Sequence, residues 1–257
     1  MKPRVIVLRA AGSNCDVETK YAFDCAGADA ELVHINRLKE KSVRLSDYQI
    51  LAIPGGFTYG DDISAGKVLA NELRYGLADQ LTEFHANDKL ILGICNGFQV
   101  LVKAGLLPAV DFTKAQSVTL TFNDSGKFED RWVHLRVAAD KCVFARNMPA
   151  SVYFPVAHAE GKFVVHDAGV LERLKRNQQI VFQYDNPFGR VEYPMNPNGS
   201  VDHIAGICDP QGRILGLMPH PERHIDPTQH PQWTRLGAAE TGDGLPLFRN
   251  AVRYFTD

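Results

Sequence analysis

The spacing of apolar positions changes several times along the chain, and each change marks an element. Val5-Ile6-Val7-Leu8 is a short unbroken apolar run, which predicts a buried strand over Arg4 to Leu8. A loop of small residues, Ala10 to Asn14, leads into a helical pattern from Asp16 to Ala26 that stops at Gly27. Ala30 to Ile35 and Tyr48 to Ile53 predict a second and a third strand. Leu69, Leu73, Leu77, Leu81 and Phe84 recur at helical spacing, so Ser64 to Ala86 reads as one long helix whose stripe packs on the core. Leu90 to Ile94 is again a buried strand. The spacing from Phe98 through Val102 predicts a packed helix that ends near Gly105. Strands alternating with helices imply a parallel sheet covered on both faces.

Beyond Pro108 the pattern becomes strand-rich. Val118 to Phe122 and Trp132 to Val137 are joined by the turn-forming Asn123-Asp124-Ser125-Gly126, and Val152 to Val156 and Phe163 to Val165 follow. Gly169 to Arg176 predicts a short helix, Ile180 to Tyr184 and His203 to Ile207 two more strands. Asp209-Pro210-Gln211-Gly212 is a tight turn into Arg213 to Met218. Such hairpins predict antiparallel additions to the parallel sheet. The expected fold is therefore α/β, a mostly parallel sheet flanked by helices with antiparallel additions. With no repeat, low-complexity tract or linker, one domain over residues 1–257 is expected.

Composition excludes several functions. A formal net charge of -2 gives no electrostatic reason to expect nucleic-acid or anionic-membrane binding. The apolar part of the first residues is too short for a signal peptide, and no run approaches the length of a membrane span. Cys15, Cys25, Cys95, Cys142 and Cys208 are scattered and odd in number, which argues against a disulfide framework and a zinc ribbon. A reducing, cytoplasmic setting and no metal site are expected. Gly12 opens no Gly-x-Gly-x-x-Gly series and there is no Gly-Lys-Ser/Thr loop, so no nucleotide is expected on those motifs.

Three stretches carry candidate chemistry. In Gly93-Ile94-Cys95-Asn96-Gly97-Phe98-Gln99, glycines two residues either side of Cys95 permit a sharp strand-to-helix turn of the nucleophile-elbow kind. The helix N-terminus there favours a thiolate, and its backbone N–H groups can hold an oxyanion. A buried cysteine at an ordinary strand–helix junction fits the same letters. Pro54-Gly55-Gly56, after the third strand, lets backbone N–H groups approach a ligand at the carboxyl edge of the sheet, although a plain turn would look alike. In Pro219-His220-Pro221-Glu222, prolines stiffen the presentation of His220, and Glu222 can orient its ring; a structural loop histidine is the alternative. His158, His224 and His230 read as loop or surface histidines without ligand spacing.

Taken together the three stretches resemble the class I (triad) glutamine amidotransferases, whose fold is flavodoxin-like. The match narrows to the glutaminase subunits of phosphoribosylformylglycinamidine synthases through Ile53 to Asp61, Leu92 to Gln99, Ala104 to Pro108, Ala157-His158-Ala159-Glu160-Gly161, Asn198-Gly199-Ser200, Ile204 to Ile207 and Met218 to Arg223. The resemblance implies that Cys95 attacks the glutamine amide, His220 relays protons and Glu222 holds the ring. It also implies an oxyanion held in the Gly55-Gly56 loop, by the N–H groups of Gly56 and Asn96, with Gln99 positioning substrate. No cofactor is expected in this chain. ATP and magnesium are expected on a synthetase partner, with which a small auxiliary subunit can assemble. Two stretches depart from the compact form of the subunit. Residues 123–149 are longer and look more like the glutaminase end of the fused enzyme, and residues 224–241 look inserted. The rival readings are a stand-alone Cys-dependent amidohydrolase or peptidase-like protein, and a noncatalytic regulatory domain, which an intact Cys95, His220 and Glu222 disfavours.

Overall fold

Strands that are apolar at every position have to be covered on both faces, and here they are Ile50–Ile53, Leu90–Ile94, Ile204–Cys208 and Ile214–Leu217. In a computed structural model, which describes residues 2–138, 141–237 and 239–257, such strands form the middle of the sheet. Met1, Ala139 and Asp140 of the 123–149 stretch, and Ala238 of the 224–241 stretch lie outside the described residues.

Among the described residues the strands are β1 (Arg4–Arg9), β2 (Asp29–His34), β3 (Ile50–Ile53), β4 (Leu90–Ile94), β5 (Val118–Thr121), β6 (Glu129–Val137), β7 (Ser151–His158), β8 (Lys162–Val165), β9 (Ile180–Asp185), β10 (Ile204–Cys208) and β11 (Ile214–Leu217). The helices are α1 (Asp16–Cys25), α2 (Ile35–Lys39), α3 (Lys67–Gly76), α4 (Ala78–Ala86), α5 (Asn96–Ala104), α6 (Ala168–Arg176), α7 (Trp233–Leu236) and α8 (Leu245–Arg253). The main sheet runs β2-β1-β3-β4-β11-β10-β9-β6-β7. Its first five strands are parallel, and the remaining four extend it antiparallel. The predicted α/β architecture is the observed one.

Two predicted features need correction. The stretch from Ser64 to Ala86 is two helices, not one. Gly66, at φ 71°, delays the start of α3, and Gly76 closes it, a residue that favours the helix less than any but proline. Leu77 then takes φ −133° before α4 begins, while the five stripe residues all stay buried. The second correction concerns β5, which does not join the main sheet but pairs with β8 in a separate two-stranded sheet. Val118 and Leu120 bury one face of β5, and the Phe163 ring of β8 stacks on Phe98 of α5. The small sheet thus covers α5 from outside, and every residue of that helix is buried.

Helix α5 comes unusually close to the sheet because two glycines face it. Gly93 of β4 and Gly216 of β11 are paired in register. A Cβ on Gly216 would lie 2.1 Å from the Phe98 ring, and one on Gly93 would lie 2.5 Å from Leu101. Their bare surface lets α5 settle where bulkier strands would hold it off. At the other end of the chain, α8 packs Phe248 edge-on against Phe23 of α1, with ring centroids 4.9 Å apart.

Candidate active site

The parallel strands all deliver their carboxyl ends to one edge, where open α/β sheets bind ligands. Cys15 follows β1, Gly55 and Gly56 follow β3, Cys95 follows β4, and His220 follows β11. The three stretches singled out in the sequence do meet. A Cβ on Gly55 would lie 2.8 Å from His220 Cε1, 3.1 Å from Cys15 Sγ and 3.4 Å from Cys95 Cβ. Gly55 is thus the bare floor on which the two thiols and the imidazole gather.

Cys95 sits between strand and helix at φ 51° and ψ −107°, a conformation that is strained for any residue with a Cβ. The strain falls on Cys95 itself, and the flanking glycines serve close approach. A Cβ on Gly97 would lie 1.9 Å from the Ile53 carbonyl oxygen, so only glycine lets the helix start against β3. The Cys95 N–H donates to Leu217 O at 2.8 Å, which pins the turn to β11. Its Sγ–H points to Ala157 O, 3.8 Å away.

His220 is held on both sides. Its backbone N–H donates to Pro155 O at 2.8 Å, and its Nδ1–H donates to Glu222 Oε1 at 2.6 Å. Burial disfavours the imidazolium, but the carboxylate of Glu222 and the two neighbouring thiols outweigh it and raise the His220 pKa well above 6.5. His220 Nε2 and Glu222 Oε2 are both buried without a hydrogen-bond partner among the described residues. The arrangement offers a nucleophile at a helix N-terminus, a base, and a group that orients the base, the parts needed for acyl transfer.

The other predicted site residues divide. The N–H groups of Gly56 and Asn96 have no acceptor among the described residues, so both are open to an oxyanion. The side chains of Asn96 and Gln99 are occupied. Asn96 Oδ1 accepts from Thr58 Oγ1 at 2.6 Å, and Asn96 Nδ2 donates to Gln99 Oε1 at 2.9 Å. Gln99 Nε2 in turn donates to Glu160 O at 2.6 Å. These amides tie the loops after β3 and β7 to the elbow instead of reaching into open space.

The reading of His158 as a loop or surface histidine is overturned, whereas His224 and His230 do stand in loops. His158 ends β7, is 3% exposed, and has Nδ1 3.2 Å from Asn123 Oδ1. Burial, with the charge of His220 nearby, takes its pKa down to about 3, so it is neutral. His224 is buried and donates Nδ1–H to Tyr153 O at 2.8 Å. His230 packs half-buried on Trp132 and Tyr153. Sequence reasoning also passed over Cys15 and Arg223. Arg223 donates from Nη2 to Cys15 Sγ at 3.1 Å and from Nε to Glu18 at 2.8 Å. Burial pushes the Cys15 thiol up, against the pull of His220 and Arg223. Its place just past the first strand, at the carboxyl edge, was the available signal.

Comparison with known proteins agrees with this geometry. The model of the CobB/CobQ-like glutamine amidotransferase domain matches residues 2–255. Phosphoribosylformylglycinamidine synthase subunit PurQ of Dehalococcoides mccartyi is 48% identical over 255 residues, covering 98% of each chain. The subunit PurQ of Methanococcus maripaludis is 44% identical over 268 residues, covering 98% of this chain and 97% of that one. In the structure of PurLQS from Thermotoga maritima, one chain is 31% identical with a TM-score of 0.76, covering 99% of this chain and 100% of that one. Because separate subunits match along their whole length, the long 123–149 and 224–241 stretches do not mark the fused form. In the fold, residues 129–137 of the first stretch are β6, an integral strand of the main sheet.

Proposed function

Because this chain belongs to the CobB/CobQ-like glutamine amidotransferase domains, and among them to the PurQ subunits of phosphoribosylformylglycinamidine synthase, we propose that it is the glutaminase of that enzyme and that Cys95, His220 and Glu222 perform the hydrolysis. The observation that carries this reading is the strained Cys95 at the start of α5, beside an imidazole already paired with a buried carboxylate.

Cys95 gives its proton to His220, and the thiolate attacks the side-chain amide carbon of glutamine. The N–H groups of Gly56 and Asn96 hold the oxyanion. As the intermediate collapses, the C–N bond breaks, His220 protonates the departing ammonia, and a glutamyl thioester remains. His220 then takes a proton from water, which attacks the thioester, releasing glutamate and restoring the Cys95 thiol. Glu222 keeps Nδ1 protonated throughout, so that Nε2 is the nitrogen that exchanges protons. Gln99 positions substrate indirectly, through the loops it ties.

The ammonia passes to a PurL-type synthetase, with a PurS-type small subunit, which converts formylglycinamide ribonucleotide to formylglycinamidine ribonucleotide. ATP and magnesium act there, not in this chain, and the setting is the cytoplasm. No helix among the described residues is long and apolar enough to cross a membrane. Residues 1–257 act as one glutamine amidotransferase domain. Exposed aromatic rings support a docked partner on the site edge: Phe57 follows Gly56, and its ring lies 6.5 Å from Phe128, which is also exposed. The test compares glutamine turnover by the chain alone, with its synthetase partner, and with the partner plus nucleotide substrates. Turnover rises with each addition, because docking fixes the Gly55-Gly56 loop and one lost oxyanion donor alone costs on the order of 100- to 1000-fold. Full activity of the chain alone, unchanged by the partner, would refute the coupling.

A further inference from the structure

Behind the site lies a second thiol that the hydrolysis does not use. Cys15 Sγ, an imidazole nitrogen of His220 and a carboxylate oxygen of Glu222 all lie within 4.8 Å of one another, and all three residues are buried. Zinc takes thiolate sulfur at about 2.3 Å and imidazole nitrogen or carboxylate oxygen at about 2.0 to 2.2 Å. Two such ligands of one tetrahedral ion therefore stand about 3.5 Å apart. Small rotations bring the three atoms into that range.

A second observation points the same way. Glu222 Oε2 is a buried carboxylate oxygen with no donor among the described residues. An unsatisfied acceptor of that kind is expensive, and a cation held by the carboxylate satisfies it. Soft sulfur with imidazole and carboxylate selects zinc-like ions over magnesium or calcium, which want oxygen alone.

We propose that Cys15, His220 and Glu222 form a binding site for a thiol-seeking divalent cation of the zinc class, and that its occupancy shuts off the glutaminase. The ion takes the place of the proton between His220 Nδ1 and Glu222 Oε1: the Nδ1 proton of the imidazolium and the Cys15 thiol proton go to water, and the ring keeps its other proton on Nε2, where it cannot accept from Cys95. His220 then has no proton traffic to offer Cys95. This second clause rests on the proposed triad, whereas the binding site stands on the three ligands alone. Cys95 and Cys15 both border Gly55, so an ion at Cys15 stands next to the nucleophile.

Cobalt(II) is the probe, added to the full chain in metal-free buffer. One equivalent binds and gives the near-ultraviolet charge-transfer band of a single cobalt–thiolate bond. Cys95→Ala keeps the band, whereas Cys15→Ser and Cys15→Ala lose it. Their zinc affinity, read by chelator competition, falls at least tenfold, the least that losing even an outer-shell contact costs. Trapping of Cys95 by a glutamine-mimicking electrophile shows that the Cys15 variants are folded. It is blocked by zinc in the wild type and spared in those variants. A band that survives in the Cys15 variants, one that disappears in Cys95→Ala, or no cobalt bound by the wild type would each overturn the site. A correct band with zinc-insensitive trapping would overturn the inhibition and leave the site standing.

Discussion

Replacing Glu222 by glutamine keeps the shape of the side chain and removes only its charge, so it isolates what the carboxylate does for His220. The new amide has two orientations. With its oxygen toward Nδ1–H the 2.6 Å hydrogen bond survives, but the amide nitrogen takes the place of Oε2, which has no partner. A buried N–H group left unpaired there costs about 1–3 kcal/mol. In the other orientation the amide donates to Nδ1, and the ring carries its proton on Nε2, the nitrogen that must accept from Cys95. Either way the imidazolium loses its nearest opposite charge, a loss worth about 1–3 pKa units. At about 1.4 kcal/mol per unit, the barrier rises by about 1.4 to 4 kcal/mol, which slows hydrolysis roughly 10- to 1000-fold. The His220 titration moves in a defined direction. Burial lowers its pKa while Glu222 and the thiols raise it, so without the Glu222 charge the pKa falls from well above 6.5 toward or below it. The alkaline limit of the protonated imidazole therefore moves to lower pH. Steady-state glutamine turnover and NMR titration of labelled histidine measure the two effects separately. A Glu222→Gln rate within twofold of wild type, with His220 titrating unchanged, would show that some other group orients the ring.

Two further outcomes follow from the same geometry. In metal-free buffer a glutamine-mimicking electrophile labels Cys95 and leaves Cys15, Cys25, Cys142 and Cys208 unmodified in peptide maps, because Cys95 stands strained at the elbow beside the open N–H groups of Gly56 and Asn96, while burial pushes the Cys15 thiol up; label on Cys15 alone would sink the mechanism. Gly97→Ala drives a methyl toward the Ile53 carbonyl oxygen, 1.9 Å from where the Cβ would stand, and pushes the start of α5 away from β3. Thermal unfolding should show a loss of about 1–3 kcal/mol, and hydrolysis should fall on the order of 100-fold from misplacement of about 1 Å; wild-type values in both assays would mean that the close approach is not needed.

The parts of this fold that were legible in the sequence are those decided by neighbours in the chain. Val5 to Leu8, Ile50 to Ile53 and Leu90 to Ile94 had to be buried strands because no residue in them tolerates water on either face. Cys95 was legible for a similar reason, since its glycines lie two residues away. The break at Leu77 was hidden because the apolar stripe runs through it unbroken, and a stripe reports which face is buried, not whether the backbone stays helical. The placement of β5 was hidden because strand periodicity does not name a partner.

What the sequence concealed about the site has one physical origin: a buried polar group is defined by what surrounds it, and here those surroundings come from distant parts of the chain. His158 looks like a loop histidine until Asn123, 35 residues earlier, is placed against its ring. Cys15 looks like one thiol of five until Arg223, 208 residues later, is found on its sulfur. The space around them was marked by glycines. A Cβ on Gly161 would stand 2.3 Å from the His158 ring, and one on Gly55 would stand among His220, Cys15 and Cys95. Glycines such as Gly55 and Gly161 are therefore evidence for side chains far away in sequence, because each keeps open a volume that another residue must fill. Gly55-Gly56 and Gly93-x-x-x-Gly97 invite the usual account of backbone freedom. Only Gly56, at φ 146°, needs it among these four; the others are glycine because something else occupies the place of the side chain.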